Sequence, residues 1–350
     1  MAPPLTSTPT SSHQAQATRS AYTKLAQGEP TFSPADTIQR LMDAANTRQG
    51  PILISILSLV LSLNTYCLFA VHLPFHFQWL PGEGIQGNAR YLFNLLWSCY
   101  LVWGVAANYY YAITTPPGSV LDGISTEDEG TTFNDILLAM ESFTEFPPLC
   151  KRCHLPKPER AHHCSVCMKC ILKYDHHCPW IWNCVGHFNV RYFMLLLTYT
   201  TMACIYFVYM GFGPLMLISE YEDDEYWPYP LPRSLVAFTE VLTVGIGLVI
   251  GGMTAWHWHL VLTAQTTLEH HSNSQTRQIC AKNGDKFINR YDFGVVGNFL
   301  NLFNIGRRGH YPWYTVFLPI MIPPIGNGKR FEKSGQGYAL QHSLEKDDIV

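Results

Sequence analysis

Four long stretches of this 350-residue chain carry almost no charge, and about 20 consecutive apolar residues are what a helix needs to cross a bilayer. No Asp, Glu, Lys or Arg occurs between Arg48 and Glu83, between Arg90 and Asp122, or between Arg191 and Glu220. From Arg233 to Glu269 the only charge is Glu240. Only 14% of residues are charged, against about 25% in soluble domains. A buried helix of a soluble core can also be apolar, but four such lengths in one chain point to membrane spans. The expected spans are 51–73, 89–113, 192–218 and 235–262. They predict an all-α integral membrane protein with four transmembrane helices.

Lys and Arg set the expected orientation. The loops 74–88 and 219–232 contain neither, and the second carries Glu220, Glu222, Asp223, Asp224 and Glu225. The segment 114–190 holds Lys151, Arg152, Lys157, Arg160, Lys169 and Lys173. Ten more lie between Arg277 and Lys346, and four precede the first span. By the positive-inside rule both termini and the 114–190 segment face the cytosol. The expected layout is a cytosolic N-terminal tail over 1–50, spans within 51–113, a cytosolic loop over 114–190, spans within 191–263, and a cytosolic tail over 264–350. The first residues are rich in Ser, Thr and Pro with no early apolar core, so a disordered tail is expected, followed by a short helix over 37–48. Modest span lengths favour an endomembrane such as the endoplasmic reticulum or Golgi.

The cytosolic loop holds seven of the eleven cysteines. From Cys150 it reads Cys-x2-Cys-x9-His-Cys-x2-Cys-x2-Cys-x4-Asp-His-His-Cys-x5-Cys, ending at Cys184. Two Cys-x2-Cys knuckles with further Cys and His nearby are zinc spacing. A cytosolic cluster is kept reduced, so metal and catalysis outrank disulfides. Seven cysteines exceed what one tetrahedral site can use. Two sites of three Cys and one His leave one thiol over, beside imidazole and carboxylate, which is what a thiolate nucleophile requires. Spacing alone identifies the knuckles Cys150/Cys153 and Cys164/Cys167. It leaves Cys170, Cys178, Cys184 and one His of each pair as further candidates. A spare Cys170 or Cys184, with Cys178 as a ligand, fits the spacing equally. Cys67, Cys99 and Cys204 read as packing residues within spans, and Cys280 as a candidate acylation site in the tail.

Asp175-His176-His177-Cys178-Pro179-Trp180, inside this cysteine-rich run, resembles the DHHC family of protein S-acyltransferases. Thr266-Thr267-Leu268-Glu269 matches that family's Thr-Thr-x-Glu after the last span. Asn289-Arg290-Tyr291-Asp292-x-Gly294, followed by Asn298, is similar to its C-terminal aromatic motif. The resemblance spans about residues 50–305. There are departures. Pro116-Pro117-Gly118 lacks the usual Asp, Trp182 replaces the first Asn of Asn-Asn-Cys, and Arg290 stands where Pro is common. An acidic insert, 121–146, separates span two from the knuckles.

The resemblance implies a cysteine-rich zinc domain over about 148–190 with two interleaved structural zinc ions. Cys150, Cys153, His163 and Cys170 would hold one, and Cys164, Cys167, His177 and Cys184 the other. Cys178 would remain as nucleophile, with His176 as base and Asp175 orienting it. The implied activity is protein S-palmitoyltransfer. A long-chain acyl group passes from acyl-CoA to Cys178, and then to cysteines of cytosol-facing or peripheral membrane proteins, in a ping-pong sequence. Trp180 and Ala203 are candidate substrate-binding residues, and Lys151, Arg152 and Lys173 candidate partners for CoA phosphates. Thr266, Thr267, Glu269, Asn289, Tyr291 and Asn298 are assigned structure. His257, His259, His270 and His271 read as interfacial polar residues. No nucleic-acid partner is expected. Two other classes compete. A non-catalytic zinc-stabilised scaffold leaves the spare Cys unexplained. A transporter predicts charges within spans, for which only Glu240 qualifies.

Overall fold

The computed structural model describes residues 49–78, 84–120, 122, 148–153, 155–220, 227–306 and 310–334. The N-terminal tail with the helix expected over 37–48, almost all of the acidic insert, the acidic residues 222–225 and the end of the C-terminal tail lie outside them.

The protein is mostly helical. In chain order come α1 (Gln49–Cys67), a π-helical turn (Leu68–His72), α2 (Leu73–Gln78) and α3 (Gly84–Thr114). Four short strands follow: β1 (His162–Cys164), β2 (Lys169–Ile171), β3 (His176–Cys178) and β4 (Asn183–Val185). Then come α4 (Val190–Glu220), α5 (Arg233–Leu262), α6 (Thr267–Asn283) and α7 (Gly294–Phe303), and a 3-10 turn at Trp313–Val316. The strands correct the all-α expectation. They form two separate antiparallel ribbons, β1–β2 and β3–β4.

Among the described residues, three helices are long and apolar enough to cross a membrane: Gln49–His76, Val190–Ile218 and Arg233–Leu262. The fourth expected span falls within α3, which is 31 residues long. Arg90, Asn94, Ser98, Asn108 and Tyr109 to Tyr111 dilute its apolar character, and it is not among the three. Several of its polar groups find partners within the helices, as a lipid setting favours. Asn94 and Asn108 donate to the carbonyls of Arg90 and Gly104, at 2.9 and 2.8 Å. The Tyr206 hydroxyl donates to Asn94 Oδ1 at 3.0 Å. α4 packs against both α3 and α5.

The one charge within the apolar stretches is paired. His72 Nε2 lies 3.0 Å from Glu240 Oε1, with both side chains buried. The π turn at Leu68–His72 supplies the extra residue that interrupts the regular ladder there. Gly211 makes room, since a Cβ there would collide with the Glu240 carboxylate. The charge that a transporter reading needs is therefore spent on a helix–helix contact.

The tail folds back onto the helix ends. α5 leaves its last carbonyls without intrahelical partners. Asn298 donates to Leu262 O and Asn289 to Thr263 O, each at 2.8 Å. Arg191, at the start of α4, donates to Phe303 O at 2.9 Å and Thr315 O at 2.7 Å. Tyr192 hydroxyl donates to Ile322 O at 2.9 Å.

Candidate active site

Strand alternation sorts the Asp-His-His-Cys run. Side chains two apart on a strand share a face, and the one between them points the other way. On β3 this puts His176 and Cys178 together and turns His177 to the opposite side. His177 Nδ1 there lies 3.4 Å from Cys167 Sγ and 3.6 Å from Cys184 Sγ. Cys164 completes the group, and all four ligand atoms lie within 4.8 Å of one another. On β1 the same alternation separates His163 from Cys164. His163 Nδ1 lies 3.0 Å from Cys153 Sγ, 3.7 Å from Cys150 Sγ and 4.0 Å from Cys170 Sγ.

Two groups of three Cys and one His are thus assembled, with Cys150 and Cys170 buried in one and Cys164 and Cys184 in the other. With Zn–S near 2.3 Å, a tetrahedron has S–S edges of about 3.8 Å. Cys153 and Cys170 are 3.8 Å apart and Cys167 and Cys184 are 3.3 Å apart. The donor sets and spacings fit a tetrahedral thiolate-preferring ion. Both groups could hold a metal, and Cys178 belongs to neither.

Cys178 is 4% exposed and packs with Tyr109, Ile181, Phe193 and Leu197. Ile54, Leu57 and Leu61 of α1 and Ile250 of α5 close around the same cluster. His176 Nδ1 is 2.6 Å from Asp175 Oδ2. Burial alone would lower the His176 pKa, but Asp175 and Cys178 hydrogen-bond to the ring and raise it to about 9. Burial would raise that of Asp175, yet hydrogen bonds from His176 and Thr267, with the His257 ring close by, hold its carboxyl well below the usual range. The arrangement is an ionised carboxylate, a basic imidazole and a buried thiol in series.

Thr267 reaches further than its structural assignment. Its backbone N–H donates to Asp175 Oδ1 at 2.7 Å and its hydroxyl to Oδ2 at 2.9 Å. Thr266 and Glu269 form a capping box that starts α6. Glu269 also receives a two-pronged hydrogen bond from Arg160, at 2.6 Å on each prong. Arg160 stacks on Tyr291, 4.4 Å from the ring centre. The motif after α5 therefore ties the cysteine-rich ribbons to the tail and grips the acid beside the thiol.

His257 was missed by sequence reasoning, which placed it among interfacial histidines. It is buried, its Nε2 is 3.7 Å from Asp175 Oδ2, and its ring centre is 5.6 Å from that of His176. An isolated His in an apolar helix gives no signal of such a partner.

The remaining candidates scatter. Lys151 and Arg152 are exposed. Lys173 is half-buried and lines a cavity of about 380 Å³ beside Asp175, His187 and His257. Burial, then Arg160, pushes its ammonium down to about 8. Trp180 is half exposed, and its carbonyl accepts from Tyr109 at 3.2 Å. Ala203 packs with the cluster of Leu101, Val105, Met194, Leu195 and Tyr199.

Trp182 sits edge-on to His177, ring centres 5.5 Å apart, at a left-handed φ of 45°. Asn tolerates that region better than Trp. The indole lies directly over Gly50, where a Cβ would collide with it. Gly50→Ala should therefore destabilise the protein by about 1–3 kcal/mol, read as a fall in thermal midpoint. Adding Trp182→Asn should restore most of it. An unchanged midpoint in the single variant would show that the two groups do not meet.

Residues 143–274 match the family model for the DHHC palmitoyltransferase domain. The chain is 29% identical over 282 residues to palmitoyltransferase ZDHHC16A of Danio rerio, covering 67% of this chain and 68% of that one. Mouse palmitoyltransferase ZDHHC16 is 34% identical over 239 residues, 65% of this chain and 60% of the mouse protein. Palmitoyltransferase pfa3 of Emericella nidulans is 36% identical over 199 residues, 54% of this chain and 37% of the fungal one. Apolar helices of spanning length beside a paired Cys/His domain define an integral membrane protein with two candidate metal groups. The chain carries a DHHC-type palmitoyltransferase domain, and it is a protein S-acyltransferase.

Proposed function

We propose that Cys178 carries the acyl group between donor and acceptor. The observation that supports this best is the placement of His176 and Cys178 on one face of β3, with Asp175 2.6 Å behind the imidazole. His176 takes the thiol proton, and the sulfur attacks the carbonyl of a long-chain acyl-CoA. The C–S bond to CoA breaks, and CoA leaves with a proton returned by the imidazolium. A target cysteine then attacks the acyl-Cys178 thioester, His176 takes its proton, and Cys178 departs as the thiol. One thioester replaces another at each step, so no ATP is needed. Asp175 keeps the imidazole in the tautomer that presents its far nitrogen to the sulfur.

The two Cys/His groups are proposed zinc sites. Closed four-ligand sites offer no position for a reacting water, so the metals would fold a segment with little core of its own. α3 is proposed as a fourth span. Both termini and the cysteine-rich domain would then face the cytosol of an endomembrane, where cytosol-facing and peripheral proteins supply the acceptor thiols. Lys151, Arg152 and Lys173 are candidate partners of CoA phosphates, and Trp180 a wall of the thioester site. Purified protein incubated with clickable acyl-CoA should take up one hydroxylamine-sensitive label per chain. No label on folded, metal-loaded protein would leave the scaffold reading in place.

The acyl chain would run among the helices, gaining about 0.8 kcal/mol per methylene. Leu61 packs both on the cluster around Cys178 and on the one containing Ala203, so a chain passing down α1 can arrive at Ala203. At 1.5 Å per residue, Ala203 lies about 16 Å beyond Tyr192. Ala203→Phe should shift the preference among competing acyl-CoAs towards shorter chains. An unchanged preference in folded protein would make Ala203 a packing residue only.

A further inference from the structure

Asp175 is approached from two sides. Thr267 and His176 donate three hydrogen bonds to its carboxylate. The side facing α5 is occupied by His257, which is 8% exposed and packs edge-on to Phe193, ring centres 5.2 Å apart. His257 Nδ1 lies 2.9 Å from the carbonyl oxygen of Met253. A carbonyl only accepts, so Nδ1 carries the hydrogen. The other nitrogen, Nε2, lies 3.7 Å from Asp175 Oδ2 and is buried without a hydrogen-bond partner among the described residues. A neutral ring would aim a lone pair at a carboxylate oxygen. A hydrogen on Nε2 turns that contact into attraction, and closing it by less than 1 Å reaches hydrogen-bond length. An apolar side chain would fill the same space without either effect.

We propose that His257 is a positioning residue for acyl transfer. It is anchored through Nδ1 to its own helix and sets its Nε2 edge against Asp175, so it holds the carboxylate in the rotamer that aims His176 at Cys178. The inference rests on the reading of Cys178 and His176 given above. It makes α5 part of the reacting assembly, beyond its part in the helix bundle. His257 acts through Asp175 and touches no reacting atom.

The test compares His257→Phe, which keeps bulk, with His257→Gln, whose amide N–H can reach the place of Nε2. Three readouts are taken on the purified full chain: the rate and KM of self-acylation, the rate of iodoacetamide alkylation of Cys178 followed by peptide mass spectrometry, and the metal content with thermal midpoint. His257→Phe should keep its midpoint, metal content and KM, while both rates fall at least about tenfold. Raising pH should recover part of that loss, because thiolate then forms without a well-aimed base. His257→Gln should recover most of both rates at neutral pH. A Phe variant at wild-type rates, or a Gln variant as slow as Phe, overturns the proposal. So does a third metal ion per wild-type chain that His257→Phe removes, since His257 would then be a ligand. If the Phe variant loses its fold, His257→Met takes its place under the same criteria. Alkylation requires no acyl-CoA. Wild-type protein that is alkylated rapidly yet accepts no acyl group would defeat the acyl-transfer reading and leave this one standing.

Discussion

Cys178→Ser should fold, retain its metal and lose acyl transfer by roughly 10⁴-fold or more. The packing supports the first half. Cys178 fills a small buried position among Tyr109, Ile181, Phe193 and Leu197, and a serine hydroxyl occupies nearly the same volume. The cost is burial of a more polar group, about 1 kcal/mol if it finds a partner. The chemistry supports the second half. An imidazole can take the proton of a thiol near neutral pH, whereas a hydroxyl stays protonated, and an oxyester would not hand on its acyl group as a thioester does. Self-acylation and transfer to a target should vanish together. Full transfer by the Ser variant would move the nucleophile elsewhere, with Cys170 and Cys184 as the thiols to test next. His176→Ala should be slow at neutral pH and climb as pH rises, since hydroxide replaces the missing base. A flat profile would mean that His176 positions substrate.

The second large effect concerns metal. Purified protein should hold two zinc ions per chain by elemental analysis, and Cys164→Ala or His163→Ala should lose at least one and unfold the cysteine-rich domain. Structural zinc contributes on the order of 10 kcal/mol to small domains of this kind. The β-ribbons here are three residues per strand, too short to stand without help. Because β1 carries a ligand of each group, His163 for one and Cys164 for the other, damage to either group should spread to both. A content near one ion in well-folded protein would overturn the two-site scheme.

Three of the four expected spans were legible in the sequence because freedom from charge is a local property that a window of residues records. The two Cys-x2-Cys knuckles were legible because their spacing is constrained, whereas the Cys and His that complete each group came from the resemblance. Their interleaving follows from strand alternation that the run of His and Cys does not display, and it came from the resemblance. α3 was read as a span on absence of charge, although Asn and Tyr make it the most polar of the long helices expected to span. Long-range partners were not legible. Thr267 meets Asp175 across 92 residues, and nothing near either residue encodes the meeting. Gly50 and Trp182 pair in the same hidden way. A glycine opening an apolar helix and a bulky replacement in a motif looked like separate facts until their side-by-side placement explained both.

The 92-residue separation between Asp175 and Thr267 has a consequence for biosynthesis. At about 5–20 residues per second, the ribosome finishes the cysteine-rich segment several seconds before it makes Thr267. During that interval the nascent chain has its thiol but lacks the clamp on Asp175, and α5, which carries His257, has yet to be threaded into the bilayer. With Cys178 as the nucleophile, competence is expected only once α6 has begun, so translation products that stop before residue 267 should take up no acyl label.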